Sequence, residues 1–240
     1  MIKTMVLLGA NTGQGSGNFQ SSYLNSHAKN VAGNAHIKEY IANVITEPTQ
    51  ELINAGWGWG GDDNTGILAI DEVWTDGMID VLSLYKGMNV IGAYESKQII
   101  LRPCSPNWPI GENSRWIKRM GLLKCFDEQR PEDFFMYWEH IHAPKALLHH
   151  TGAGIYAQNH FIKTIIPAST KWNGSVSLCY WNLDAFQYGH FSRPDSMDVI
   201  KEDGSHFMDV FKALYAEEYI MKKVLECDIT VMTADSCSKV

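Results

Sequence analysis

An aromatic–aromatic–histidine spacing occurs twice in this 240-residue chain. Phe134, Trp138 and His142 stand at i, i+4 and i+8, and Phe19, Tyr23 and His27 repeat the spacing 115 residues earlier. On a helix, each trio lies along one face with the imidazole at its tip. Two further landmarks follow in the same order. Tyr40-Ile41-Ala42-Asn43 answers Tyr156-Ala157-Gln158-Asn159 at an offset of 116, and Glu72-Val73-Trp74-Thr75 answers Cys179-Tyr180-Trp181-Asn182 at 107. A longer loop in the first copy accounts for the shorter offset. The chain therefore reads as an internal duplication, and its fold must be assembled from two similar halves.

Hydrophobic runs and breakers supply the elements. In the first half, strands are expected at Ile2 to Gly9, His36 to Val44, Gly66 to Trp74 and Gln98 to Arg102, with helices at Asn18 to Ala32 and Gly77 to Tyr85. Pro103 to Asn113 contains three prolines and no periodicity, which marks a linker. In the second half, strands are expected at Ile117 to Cys125, within Ala153 to Ile166, at Ser175 to Trp181 and at Tyr219 to Leu225. Its helices are expected from Pro131 to Leu148 and within Met197 to Tyr215. Pro131-Glu132-Asp133 suits a first helical turn, and Pro144 is expected to end or bend the helix after His142. Each half is β-α-β-β-α-β, the ferredoxin-like order of an α+β domain. The expected division is 1–103, a linker at 104–115, and 116–240 with a tail after Asp228.

Several functions lack support. The net charge of -7 argues against nucleic acid as a partner. Five scattered cysteines without a C-x-x-C pair suit a reducing cytoplasm. No apolar run has membrane-spanning length, and Met1 to Ala10 is too short for a signal peptide. The glycine-rich stretch Asn11 to Gly17 matches neither G-x-x-x-x-G-K-[ST] nor G-x-G-x-x-G. Gly56 to Gly61, with Trp57 and Trp59, is a loop that caps the core or covers an apolar pocket.

The pattern F-x-x-x-[WY]-x-x-x-H-A, completed by proline at Pro144, is followed by a Tyr-x-x-Asn strand and a strand ending in Trp74 or Trp181. This arrangement resembles the EthD-like branch of the dimeric α+β barrel proteins over residues 2–102 and 116–226. The first copy departs from the motif, because no proline follows His27. The resemblance implies two ferredoxin-like units with their sheets packed face to face, a barrel that a tandem chain makes from its own halves. Pairing of two such chains into a homodimer stays open. The wider superfamily includes polyketide cyclases, decarboxylases, isomerases, small monooxygenases and haem enzymes, and fold alone does not choose among them.

The residues favour acid–base chemistry without a cofactor. No haem, flavin or nicotinamide pattern is present. His140 and His142 lie two apart on a helix and do not face one another, so no metal site is expected. His142 is the expected principal base, with Tyr156 and the less secure His27 as further catalytic candidates. Burial beside aromatic rings is expected to keep the His142 imidazole neutral. Tyr40, Asn43, Glu72, Trp74, Trp138, Asn159, His160 and Trp181 are the substrate-binding candidates; Asn159 and His160 point to opposite faces of their strand. Glu72 needs a partner if it faces a barrel interior. The expected activity is a lyase, of decarboxylase or cyclase type, acting on an aromatic or polyketide-like molecule. A non-catalytic accessory protein of aromatic catabolism and a cofactor-free monooxygenase are the alternatives.

Overall fold

In the computed structural model, the described residues are 1–11, 16–56, 66–78 and 80–223. Residues 12–15 of the glycine-rich stretch, Trp57 and Trp59 with their loop, and the tail after Asp228 lie outside them. The first half contains β1 (Ile2–Gly9), α1 (residues 16–33), β2 (Ile37–Thr46), α2 (Gln50–Asn54), β3 (Ile67–Thr75), α3 (Val81–Leu84) and β4 (Asn89–Arg102). The second contains β5 (Ile117–Lys124), α4 (residues 131–149), β6 (Ala153–Ile166), β7 (Gly174–Tyr180), α5 (Leu183–Gly189), α6 (Ser196–Ser205) and β8 (Val210–Lys222).

The strands close into an eight-stranded antiparallel barrel in the order β1-β3-β2-β8-β5-β7-β6-β4. Two seams join the halves. Strand β2 pairs with β8, with Val44 opposite Glu217, and β4 pairs with β6, with Gln98 opposite Asn159. Closure removes the open edges that a four-stranded sheet would expose. It also covers both faces of the inner strands, so β7 is buried along its whole length.

Alternate residues serve the two sides of the wall. Met5, Leu7, Ile70, Tyr94, Met120, Leu122, Phe161 and Leu214 pack in the lumen. Outside the barrel, α1 covers Val6, Tyr40 and Val73, while α4 and the segment after α6 cover Leu123, Tyr156, Val176 and Leu178. A buried ionic quartet links the halves within the lumen. Lys3 bonds Glu72 at 2.6 Å, and Lys118 bonds Glu72 at 3.0 Å and Glu218 at 2.7 Å. These two lysines supply the partners that Glu72 needs. Burial alone would raise Glu72, but Lys118 and Lys3 hold it well below the usual carboxylate range.

Local chemistry sets the element ends. Pro131 opens α4, with Glu132 and Asp133 in its first turn as expected. Asn182 caps α5 by accepting from the Ala185 N–H at 2.9 Å. Other expectations are corrected. Pro144 does not end its helix; α4 runs on to His149. Strand β4 starts at Asn89 rather than Gln98, and β8 starts at Val210 rather than Tyr219. Among the described residues, no helix is long and apolar enough to cross a membrane.

Candidate functional site

Both long helices widen into a π turn over the repeated aromatic-to-histidine stretch, at Tyr23–His27 and Trp138–His142. In each, the next N–H reaches back five residues, from Ala28 to the Tyr23 carbonyl and from Ala143 to the Trp138 carbonyl. Pro144 is not the cause, because Lys29 occupies the matching position of the first copy. The extra residue in the turn re-aims the side chains on either side of it. In α4 it holds Trp138 over β7, where Gly174 leaves room for the indole. A Cβ at Gly174 would stand 2.5 Å from the Trp138 ring.

A cavity of about 40 Å³ lies between the outer face of β5–β8 and the covering helices, not in the barrel lumen. Trp138, Tyr156, Phe207 and Phe211 supply aromatic wall, with Leu123, Val176, Leu178, Ile200 and Met208. The polar lining is Arg119, His142, His150 and His190. Room for a water or two is present; an aromatic ring enters only as side chains such as Met208 move.

His142 carries the strongest catalytic geometry. Its Nδ1 lies 2.7 Å from Asp203 Oδ2. The carboxylate accepts, so Nδ1 donates, and in the neutral ring Nε2 keeps its lone pair. Lys145 and Tyr137 also donate to Asp203, the tyrosine at 3.1 Å. Burial alone would raise Asp203, but His142, Lys145 and Tyr137 outweigh it and hold the carboxyl well below the usual range. A carboxylate thus orients the imidazole, which also packs beside the Phe207 ring at 5.0 Å. Tyr156 stands on the same cavity wall, raised to about 12 by burial against the pull of Gln158 and Trp138.

Around the cavity, His190 organises three neighbours. Arg119 donates to its Nε2 at 3.1 Å, and Tyr180 lies 2.5 Å from its Nδ1. A guanidinium is donor-only, so Nε2 must be the acceptor and Nδ1 carries the proton. The His190 carbonyl accepts from His150 Nδ1. Burial, followed by Arg119 and His150, pushes His190 well below the ordinary histidine value. His150 is lowered to about 4, chiefly by burial.

Of the residues expected from sequence, the cavity brings together His142, Tyr156 and Trp138. Asn43, Glu72 and Asn159 lie elsewhere, tied into the lumen network: Asn43 donates to Glu72 at 3.1 Å and Lys3 to Asn159 at 2.7 Å. Trp74 lies under the Lys3 ammonium at 4.3 Å. His160 stacks on Phe135 and Trp138 beneath α4. Trp181 is 46% exposed and packs on Trp108 and Trp116. Tyr40 and His27 belong to the first half, away from this cavity. There Asp71 accepts from Tyr23, from Tyr40 at 3.0 Å and from Tyr85 at 2.8 Å. His27 packs on Tyr85 with ring centroids 4.8 Å apart, and its buried Nε2 finds no hydrogen-bond partner among the described residues. Burial lowers His27 to about 4. Asp203, Arg119 and His190 were missed, since each is remote in sequence from the repeated motif. Among the described residues, no three His, Cys, Asp or Glu side chains are grouped to hold a metal.

Residues 127–210 match the EthD domain model. A search of the curated proteins finds no match. Among solved structures, the chain is similar to an anthrone oxidase-like protein at 7% identity and TM-score 0.56, over 95% of this chain and 96% of that one. It is also similar to a proposed monooxygenase from Fusobacterium nucleatum at 8% identity and TM-score 0.52, over 92% of each chain. At such identities the likeness carries the fold alone. The second half of the chain thus resembles the EthD domain over residues 127–210, and the whole chain is an α+β protein closed into an eight-stranded antiparallel barrel, the fold it shares with the anthrone oxidase-like structure.

Proposed function

We propose that this protein is a cofactor-independent small-molecule enzyme whose base is the His142–Asp203 pair. The 2.7 Å bond from His142 Nδ1 to Asp203, at the wall of a buried aromatic cavity, is the observation that carries this reading. The carboxylate fixes the ring and stabilises the imidazolium formed when Nε2 takes a proton. The acidic proton comes from a phenol or from a carbon activated by a neighbouring carbonyl. Tyr156 is positioned as a neutral phenol that donates to the oxygen on which negative charge develops. Decarboxylation or cyclisation of an aromatic or polyketide-like compound, a lyase reaction, uses this equipment. The 4-1-3-2 strand neighbours in each half, with a long helix after the first strand of each, support two tandem ferredoxin-like units that make the barrel within one chain; short helices at Gln50–Asn54 and Leu183–Gly189 are added to the β-α-β-β-α-β order.

The anthrone oxidase-like neighbour favours a second reading, in which the deprotonated substrate reacts with dioxygen. Oxygen uptake during turnover separates the two. The test of the base is turnover of a panel of aromatic acids by His142→Ala and His27→Ala. His142→Ala is expected to lose roughly 10²–10⁴-fold in rate while still folded, and His27→Ala far less. Wild-type turnover by His142→Ala rejects the proposal.

A further inference from the structure

Three side chains of α4 converge on one carboxylate of α6. Asp203 Oδ2 takes the 2.7 Å bond from His142 Nδ1, while Oδ1 takes the Lys145 ammonium and, at 3.1 Å, the Tyr137 hydroxyl. Tyr137 and His142 stand at i and i+5, a spacing that the π turn at Trp138–His142 brings onto one face. The Asp203 side chain is 2% exposed and that of Lys145 45% exposed, so the ammonium sits at the rim of a buried pair. Its bond to Asp203 raises Lys145 above the ordinary lysine value, and it stays charged at neutral pH. In the first half the same 115-residue offset places Ser22, His27 and Asn30 at these three positions. Ser22 turns back to the Phe19 carbonyl at 3.0 Å, so the convergence belongs to the second half.

A buried aspartate left to itself holds an imidazolium tightly, and a base that keeps its proton cannot act again. An ammonium on the other carboxylate oxygen offsets the negative charge and repels the imidazolium. Tyr137 shares that oxygen without adding charge. We infer that Lys145 is a positioning residue of the His142–Asp203 pair, which weakens the aspartate's hold on the imidazolium and so eases release of the proton that His142 has taken. This role presupposes that His142 is the base, and adds the residue that sets how firmly it keeps a proton. From α6 and the turn after it, Glu202 acts on Lys145, and His206 lies 3.5 Å from the Tyr137 hydroxyl. Arg119, Tyr156, His150 and His190 face His142 across the cavity. All of these groups are kept when Lys145 alone is changed.

NMR of the imidazole Cε1–H signals against pH tests this without a substrate, the His142 signal being identified by its loss in His142→Ala. In Lys145→Met the pH at which His142 takes up its proton is expected to rise by about one pH unit relative to wild type. Lys145→Arg keeps the charge and is expected to restore the wild-type curve. Tyr137→Phe removes a neutral donor and is expected to move the curve less than Lys145→Met does. A curve unmoved in Lys145→Met, or a shift that Lys145→Arg fails to undo, overturns the inference. A purely structural role would lower stability without moving the curve. Lys145→Gln, equally neutral, gives the same comparison should Lys145→Met not fold. Turnover separates this from the base assignment: a shifted curve in Lys145→Met beside wild-type turnover by His142→Ala removes the base and leaves the effect of Lys145 on the pair standing.

Discussion

Asp71 and Leu178 occupy matching positions of the two copies, 107 residues apart. In the second half Leu178 lines a cavity, while in the first Asp71 accepts from three phenols, those of Tyr23, Tyr40 and Tyr85. Burial raises Asp71 to about 7 despite the three donated bonds. The folded protein therefore holds a proton here that the unfolded chain releases near pH 4, and this contribution falls as pH rises from about 4 to 7. Asp71→Asn lacks that slope. Urea unfolding at pH 5 and 7.5 should show wild type losing roughly 2 kcal/mol relative to the variant between the two values. Comparing the two proteins cancels the opposite trend from buried histidines such as His150, whose lowered values make stability rise with pH over part of the same range. His142 was legible because its spacing from Trp138 and Phe134 is local. Asp203 was not, because it comes from a helix 61 residues away and belongs to no motif.

At the scale of elements, the duplication located both long helices but concealed their π turns, since the same four-residue spacings fit an α-helix and its widened form. Strand β8 was misplaced for a different reason. Lys212-Ala213-Leu214-Tyr215-Ala216-Glu217-Glu218 is rich in strong helix formers, yet its two long pairings with β2 and β5 close the barrel. Tertiary pairing overrides the local preference, and Glu218 faces the lumen because Lys118 waits there at 2.7 Å. The fit of α4 on β7 yields a sharp expectation. In Gly174→Ala the new methyl meets the Trp138 ring and the Asn159 carbonyl, at 2.5 and 2.8 Å before relaxation. The strand backbone cannot yield, so chemical denaturation should show a loss of about 1–3 kcal/mol, with altered Trp138 fluorescence. Unchanged stability would mean that the indole does not seat on β7.

The whole molecule is one closed barrel, four strands from each half of the chain. Its closure depends on the lumen quartet as well as on the seams, because Lys118 of β5 grips Glu72 of β3 across the halves. Removing one partner of a buried pair leaves the other charge without compensation. Lys118→Met should therefore lower stability by about 3–5 kcal/mol, read from thermal or urea unfolding; a neutral effect would contradict the quartet's part in closure. The halves differ most in chemistry: among the described residues His27 Nε2 has no hydrogen-bond partner, whereas His142 Nδ1 bonds Asp203. In the proposed function, His142 and Asp203 act as one unit. A double-mutant cycle on single-turnover rate, with His142→Ala, Asp203→Asn and the combination, tests it most directly. Each single change is expected to slow turnover by at least about tenfold, and the combination to be scarcely slower than His142→Ala, since the aspartate works through the imidazole. Multiplying losses, or wild-type turnover in His142→Ala, would contradict it.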